Sequence, residues 1–405
     1  MLVVLFVTVV LTALVGAHRS WTSLDRFREW AGSSDITLQG DTLNQASEIE
    51  AAVAEEPAVV ETALRHLANV FPLTDDDVSL PDFVVLSDPG GAFGVTVDRV
   101  RMLSGRMPLP DAPQEIVVNE ITAELLAVQV GDSLRVLTFS AGDLEVLTTG
   151  LDFPGFNGPV VELEVVGIGR SPVDLARERT RTDLVAFGSP SFLEGNPGVG
   201  AWPPAVLLRL DDSEGGVDGV TERFEALLAD ATDRVDTGPS ALIQTADDEY
   251  VDASERSVRG LALGLLIFAF TAAVAGFVAI GQAATRQVRA AAQDDRVLAA
   301  LGLPTRQRAL GIALPMIGVE AIAVLVAVIV AIASSPIMPT GSARRAEIDP
   351  GVWIDPVVLG SAAVALIGVL AGGTLWVAHR AQRAPEASPE AVVSSTVASR
   401  MISGL

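Results

Sequence analysis

Apolar and polar positions are sharply segregated along this chain. Uninterrupted apolar runs occupy residues 260–284, 309–335 and 357–378. Each exceeds the ~20 residues that a helix needs to cross a hydrocarbon core. The first and third carry no charge, and the second carries only Glu320. A shorter apolar run, residues 1–17, opens the chain without the basic flank of a secretory leader, although Val15-Gly16-Ala17 would pass as a weak cleavage site. A span is preferred there over a cleaved leader.

Between the first and second runs lies a long polar block, residues 18–258, large enough for a core of its own. Within it, Val53, Val59, Val60, Leu64 and Leu67 predict a helix over 46–70, and a second helix is expected over 221–228. Strands are expected over 83–86, 115–118, 134–137, 161–168 and 205–210. Turn-forming clusters such as Asp88-Pro89-Gly90-Gly91 separate them. The mixture predicts an α+β domain and disfavours a doubly wound parallel sheet. Residues 252–259 run into the second span without a breaker, and Trp21, Leu24, Phe27 and Arg28 keep helical spacing after the first. Two projecting stalks and two ordinary helix ends are both compatible with this.

Composition sharpens the picture. Hydrophobic residues make up 49% of the 405 positions, and the mean hydropathy of +0.43 is high for a soluble domain. There is no cysteine, and all 27 basic residues are arginine. Thiol catalysis, disulfides, thiolate zinc sites, a Walker-type phosphate loop and a lysine nucleophile are excluded. Histidines stand only at positions 18, 66 and 379. The formal charge is −24, and 43 of the 51 acidic residues fall in 18–258. Such a block repels nucleic acid and anionic headgroups. Acidic pairs such as Asp247-Asp248 lack the spacing of a calcium loop and are expected to be solvated turns.

Arginine counts in the short loops set an orientation. The segment 285–308 holds Arg286, Arg289, Arg296, Arg306 and Arg308, and the tail after the last run begins with Arg380 and Arg383. Both are expected inside, which places the acidic block and the loop 336–356 outside. The expected fold class is therefore a membrane protein with four transmembrane α-helices plus one large α+β extracytoplasmic domain between the first and second. Its segments are 1–17 (first span), 18–258 (exterior domain with stalks), 259–284 (second span), 285–308 (cytoplasmic segment), 309–335 (third span), 336–356 (exterior loop), 357–378 (fourth span) and 379–405 (cytoplasmic tail).

Particular phrases carry a resemblance. Leu103-Ser-Gly105-Arg106, then Glu115-Ile-Val-Val-Asn119-Glu120, Ala123 and Val130-Gly131-Asp132 look like an exterior-domain signature: a GR turn, a strand, a helix and a VGD turn. Asp294-Asp-Arg296-Val-Leu298-Ala-Ala-Leu301-Gly302, followed by Thr305-Arg306-Gln307, is similar to a cytoplasmic segment ending in an ALG turn. In order and topology these resemble the FtsX-like ABC transporter permeases with a MacB-type extracytoplasmic domain. The loop from Ser335-Pro336 through Ala343-Arg344-Arg345-Ala346-Glu347 to Asp355, with the opening Gly16-Ala17-His18-Arg19, resembles the first half of the duplicated actinobacterial type. The family more often has glutamate at the place of Asp294. The duplicated type also carries a second membrane bundle, so a half-length subunit that dimerises and a truncated frame are both open.

The resemblance implies a permease subunit in the bacterial plasma membrane, itself not an enzyme. An ABC-type ATPase partner would bind and hydrolyse ATP, and the chain itself would hold no cofactor or metal. Export or extraction of a lipid, lipoprotein, peptide or drug is the implied task; the alternative is a membrane scaffold that regulates a cell-wall hydrolase. A homodimer, or pairing with a second permease half, is implied as well. The implied ATPase-coupling residues are Asp294, Arg296, Leu298, Leu301, Gly302, Thr305 and Arg306. Leu298 and Leu301 would fill a groove on the ATPase, the charged residues would fix register, and Thr305 would cap the third span. Glu320 is an intramembrane acid, where ionisation costs at least ~2.5 kcal/mol. A structural hydrogen bond is favoured for it over proton coupling. Pro315 is expected to kink the third span, and Gly368 and Gly372 to allow close helix contact.

Overall fold

The computed structural model describes the chain except for residues 40–42, 75–76, 79–80, 149–154, 176–183, 212–223, 225–241, 246–247, 291–300 and 384–405. It divides into two compact units. One contains Met1–Arg19, Ala262–Met338 and Pro350–Leu405; the other contains Ser20–Leu261 and Pro339–Asp349.

The first unit is helical. Its long helices are α1 (Leu2–Trp21), the greater part of α7 (Asp248–Ala290), α8 (Thr305–Ser334) and α10 (Pro356–Arg383). All four include a stretch long and apolar enough to cross a membrane. A buried cluster, including Val7, Leu11, Val15, Val324, Ala327, Leu359 and Leu370, joins α1, α8 and α10. Their outer faces remain apolar: Phe268 and Phe270 of α7, Val319 and Ile322 of α8, and Val364 and Trp376 of α10 are exposed. Helices apolar all round suit a hydrocarbon solvent and not water.

The second unit is built on a mixed sheet. Its strands are β1 (Ile36–Gln39), β2 (Val59–Thr74), β3 (Asp77–Val78), β4 (Phe83–Ser87), β5 (Arg101–Gly105), β6 (Glu115–Asn119), β7 (Ser133–Thr138), β8 (Val161–Arg170), β9 (Val185–Gly188), β10 (Trp202–Leu210) and β11 (Leu242–Thr245). Among the described residues the order is β11-β1-β10-β2-β4-β9-β6-β8-β5; β3 pairs with β2, and β7 pairs with β2 and β8. β4 with β9 and β6 with β8 are parallel, and the remaining pairs are antiparallel. Both faces are covered, as the period-2 alternation of strand side chains shows. Ile116 and Val118 enter one core while Val117 enters the opposite one. Val206 and Leu208 face a core beneath α3 (Leu43–Val53), and Ala205 and Leu207 face away from it.

The five expected strands are all present, and the mixed pairing agrees with the α+β expectation. The helix expected over 46–70 is half right: α3 ends at Val53, and β2 begins at Val59. From residue 66 onward β2 buries alternate residues, His66, Ala68 and Val70, so the apparent helical spacing belongs to a strand between two cores. Of the helix expected over 221–228, Phe224 alone lies among the described residues; it is helical and buried.

The helices next to the polar block end differently at its two sides. α7 starts at Asp248 and continues without interruption to Ala290. The first helix instead breaks at Thr22, after which α2 (Ser23–Ala31) begins with no side-chain cap. α2 ends because Gly32 adopts φ +57°, and a Cβ at Gly32 would lie 2.4 Å from the Thr96 carbonyl oxygen.

Candidate functional site

The segment expected to couple to an ATPase is only partly described. Asp294, Arg296 and Leu298 lie outside the described residues. Leu301 is 71% exposed, an apolar side chain offered to its surroundings. Gly302 adopts φ +82°, a conformation that ends the preceding segment at little steric cost to glycine. Arg306 is exposed on the first turn of α8. Thr305 does not cap that helix. Pro304, extended at φ −65° and ψ 148°, is the N-cap, and Thr305 is already helical. Proline fixes the dihedrals of the entry and so moves the cap one residue back. The Pro304 carbonyl accepts from the backbone N–H of Gln307 at 3.0 Å and of Arg308 at 3.2 Å.

Glu320 sits inside the helical unit. Thr374 Oγ1 of α10 donates to Glu320 Oε1 at 2.6 Å, and both side chains are buried. Glu320 Oε2 has no partner among the described residues. The bond therefore ties α8 to α10 across their packed faces, as the structural reading expects. Pro315 lies inside α8, which continues through it. Gly368 and Gly372 are not the close-contact pair that was expected: a Cβ at either would meet nothing within 4 Å. At Gly373 a Cβ would come 3.1 Å from the Phe277 ring, so close approach of α10 to α7 shifts by one residue. A cleft of about 540 Å³ opens there between Phe277, Gly281 and Thr285 of α7 and Leu370, Thr374 and Trp376 of α10.

At the other end of the helical unit, Arg19 is completely buried. Its Nη1 donates to the Ser335 carbonyl at 2.7 Å and to the Gly351 carbonyl at 3.2 Å. The Trp353 N–H donates to Ser335 Oγ at 2.9 Å, and His18 Nε2 lies 3.3 Å from Asp355 Oδ2. One arginine at the end of α1 thus holds both flanks of the connection between α8 and α10. The Ser335 carbonyl also accepts from the Met338 N–H at 3.1 Å.

In the sheet unit the signature residues have local structural duties. Gly105 takes φ +70°, and a Cβ on it would lie 2.1 Å from the Val166 carbonyl oxygen, so only glycine fits the turn. Arg106 then makes a bidentate pair with Glu115, at 2.6 and 2.5 Å, and holds that carboxyl below its usual range. Asn119 caps α4 (Glu120–Leu126) by accepting from the Thr122 N–H at 2.8 Å. Its Nδ2 donates to Asp174 Oδ1 at 2.5 Å. Burial raises the Asp174 carboxyl despite this and the Ser171 donors. Gly131 turns at φ +99°, and Asp132 Oδ2 accepts from the Gln129 N–H at 2.7 Å. In the first turn of α5 (Ala141–Thr148), Asp143 accepts from Asn157 and from the Ser140 N–H, which lowers its carboxyl to about 2. Among the described residues no group of three acidic or histidine side chains could hold a metal ion.

No protein-family model matches the sequence, and no curated protein is significantly similar to it. Solved structures are similar over about half of the chain. One is the periplasmic region of MacB from Actinobacillus actinomycetemcomitans, with 10% identity and a TM-score of 0.36, covering 56% of this chain and 94% of that one. The extracellular domain of the noncanonic ABC-type transporter YknZ from Gram-positive bacteria gives 10% and 0.32, covering 52% and 99%. A domain of a permease protein from Porphyromonas gingivalis gives 13% and 0.30, covering 54% and 87%. Likeness at this level carries no functional argument, so function is argued from the chain's own residues.

Two features escaped the sequence. The partners of Arg19 lie 316 and 332 residues away, and those of Glu347 lie 321 and 246 residues away. No local periodicity marks such pairs.

Proposed function

We propose that this chain is the permease subunit of an ABC transporter complex in the bacterial plasma membrane. The observation that carries it is the combination of four apolar helices with a folded mixed-sheet unit inserted after the first of them. A phosphate-binding lysine is absent from the sequence, so the energy of ATP would come from a separate nucleotide-binding subunit. The sheet unit would stand outside the cell, with residues 285–308 and the tail from 379 inside, as the arginine distribution favours. Closure of the ATPase would push on residues 294–306, and α7, which runs unbroken from Asp248 to Ala290, would carry that motion outward. The load would be a lipid, lipoprotein, peptide or drug at the outer face. Pairing with a second copy or a second permease half would complete the translocation unit.

The exposed Leu301 supports a docking role for the inner segment, because an exposed apolar side chain followed in the chain by Arg306 suits a groove with an acidic rim. Co-expression with the partner ATPase should give a complex that survives detergent extraction. Leu298→Asp and Leu301→Asp should each abolish co-purification while the permease itself still accumulates in the membrane. Undiminished assembly in both variants would remove the docking role.

A further inference from the structure

Residues Pro339–Asp349 connect α8 to α10, yet they group with the sheet unit, while Met338 before them and Pro350 after them group with the helices. The chain therefore passes between its two units at four places, after Arg19, Leu261, Met338 and Asp349. The attachment of the short connection is built from specific contacts, all inside the sheet unit.

Ala346 is 1% exposed and shares a core with Leu24, Phe27 and Ala31 of α2 and with Leu175. Glu347, also buried, accepts from Arg26 Nη2 at 2.9 Å through Oε2. Its backbone carbonyl accepts from Arg101 Nη1 at 2.5 Å. The carbonyl of Arg345 accepts from Arg170 Nη1 at 2.5 Å. Arg170 is itself held by Glu120 through two bonds of 2.8 and 2.5 Å, and Arg345 Nη2 lies 3.4 Å from the same carboxylate. Two arginines of the sheet thus recognise backbone carbonyls that only a chain in this path presents, and Arg26 of α2 recognises a buried carboxylate. α9 (Ser342–Arg345) gives the segment its shape, while Gly341 at φ +62° sets its entry.

We propose that Pro339–Asp349 is a clasp, through which the sheet unit grips the connection between the third and fourth apolar helices. Combined with the permease function argued above, the clasp becomes a second route for motion. A pull on this segment acts on the sheet unit through Glu347 and Ala346 or opens this small core. Within the helical unit, Arg19 binds the Ser335 and Gly351 carbonyls that flank the same connection. A loop that merely spans two helices needs neither a buried glutamate nor a buried alanine, and would be expected to keep its charges in water.

The chain contains no cysteine, so a single introduced thiol reports on one place. In the full-length protein in detergent, without any ATPase, Ala346→Cys should react with a maleimide at least about tenfold more slowly than the exposed Asp349→Cys. Adding Glu347→Gln or Arg26→Gln to Ala346→Cys should each speed labelling by about tenfold, the loss expected for one charge-assisted hydrogen bond. The two together should speed it by less than the product of the single effects, since they remove the same contact. Equal labelling at 346 and 349 would overturn the clasp, and so would rates unaffected by Glu347→Gln or fully multiplicative effects. The measurement needs no partner, so failure of ATPase assembly with slow labelling at 346 would refute the permease reading and leave the clasp standing.

Discussion

Asp143 shows how one carboxylate organises a turn. It receives the Ser140 N–H at 2.8 Å, the Asn157 N–H at 2.9 Å and the Asn157 side-chain amide at 2.6 Å. Hydrogen bonds to the charged form are the cause of its low value of about 2, against 3.8 for an ordinary aspartate. A depressed acid stabilises the folded state above the unfolded value and loses that contribution as pH falls toward the folded one. Parent protein should therefore lose stability between about pH 4 and pH 2 more steeply than Asp143→Asn, as followed by thermal unfolding across that range. Burial acts the other way at Asp98 and Asp174, whose carboxyls are raised. Their contribution declines as pH rises above the ordinary aspartate value. Inside the helical unit, Thr374→Val removes the donor to Glu320 and should cost about 0.6 to 1.7 kcal/mol, whereas Glu320→Gln keeps an acceptor for Thr374 and should cost less. Melting temperatures of the two purified variants compare them directly.

Turns decide how the sheet elements meet. Gly105→Ala would place a methyl 2.1 Å from the Val166 carbonyl oxygen as well as forcing a positive φ. Gly131→Ala meets only the second problem, since nothing lies within 4 Å of its Cβ. The second substitution should cost about 1–2 kcal/mol and the first distinctly more, measured as stability loss in detergent. Much at this scale was legible beforehand. The strands over 83–86, 115–118 and 161–168 alternate or run apolar between turn residues, because each packs against well-defined faces. β2 was not legible. It is sixteen residues long and changes partner from β10 to β4 to β7, so its buried face is not one simple series. Its first half was absorbed into the pattern of α3. β5, half polar and at the end of the sheet order, carries almost no signal of its own beyond the glycine that ends it. The cap of α8 was misplaced because threonine is the commoner N-cap, while here the preceding proline already sets the entry dihedrals.

For the molecule as a whole, length and hydropathy announced four apolar helices, and four are present among the described residues. Chain order also announced a large folded insertion after the first. What no pattern could announce is the cross-bracing. Arg26 and Glu347 stand 321 residues apart, and Arg170 finds the carbonyl of Arg345 at a separation of 175. Such contacts exist only after the fold has formed, and they make a connection between two helices part of a distant sheet. The mechanical account depends above all on sidedness, because a lever requires its head and its handle on opposite faces of the bilayer. Single cysteines at the exposed positions Asp111 and Arg306, probed with a membrane-impermeant maleimide on sealed cells, test this most directly. Asp111→Cys should label before permeabilisation and Arg306→Cys only after it; labelling of both from the same side, or in the reverse order, would contradict the account.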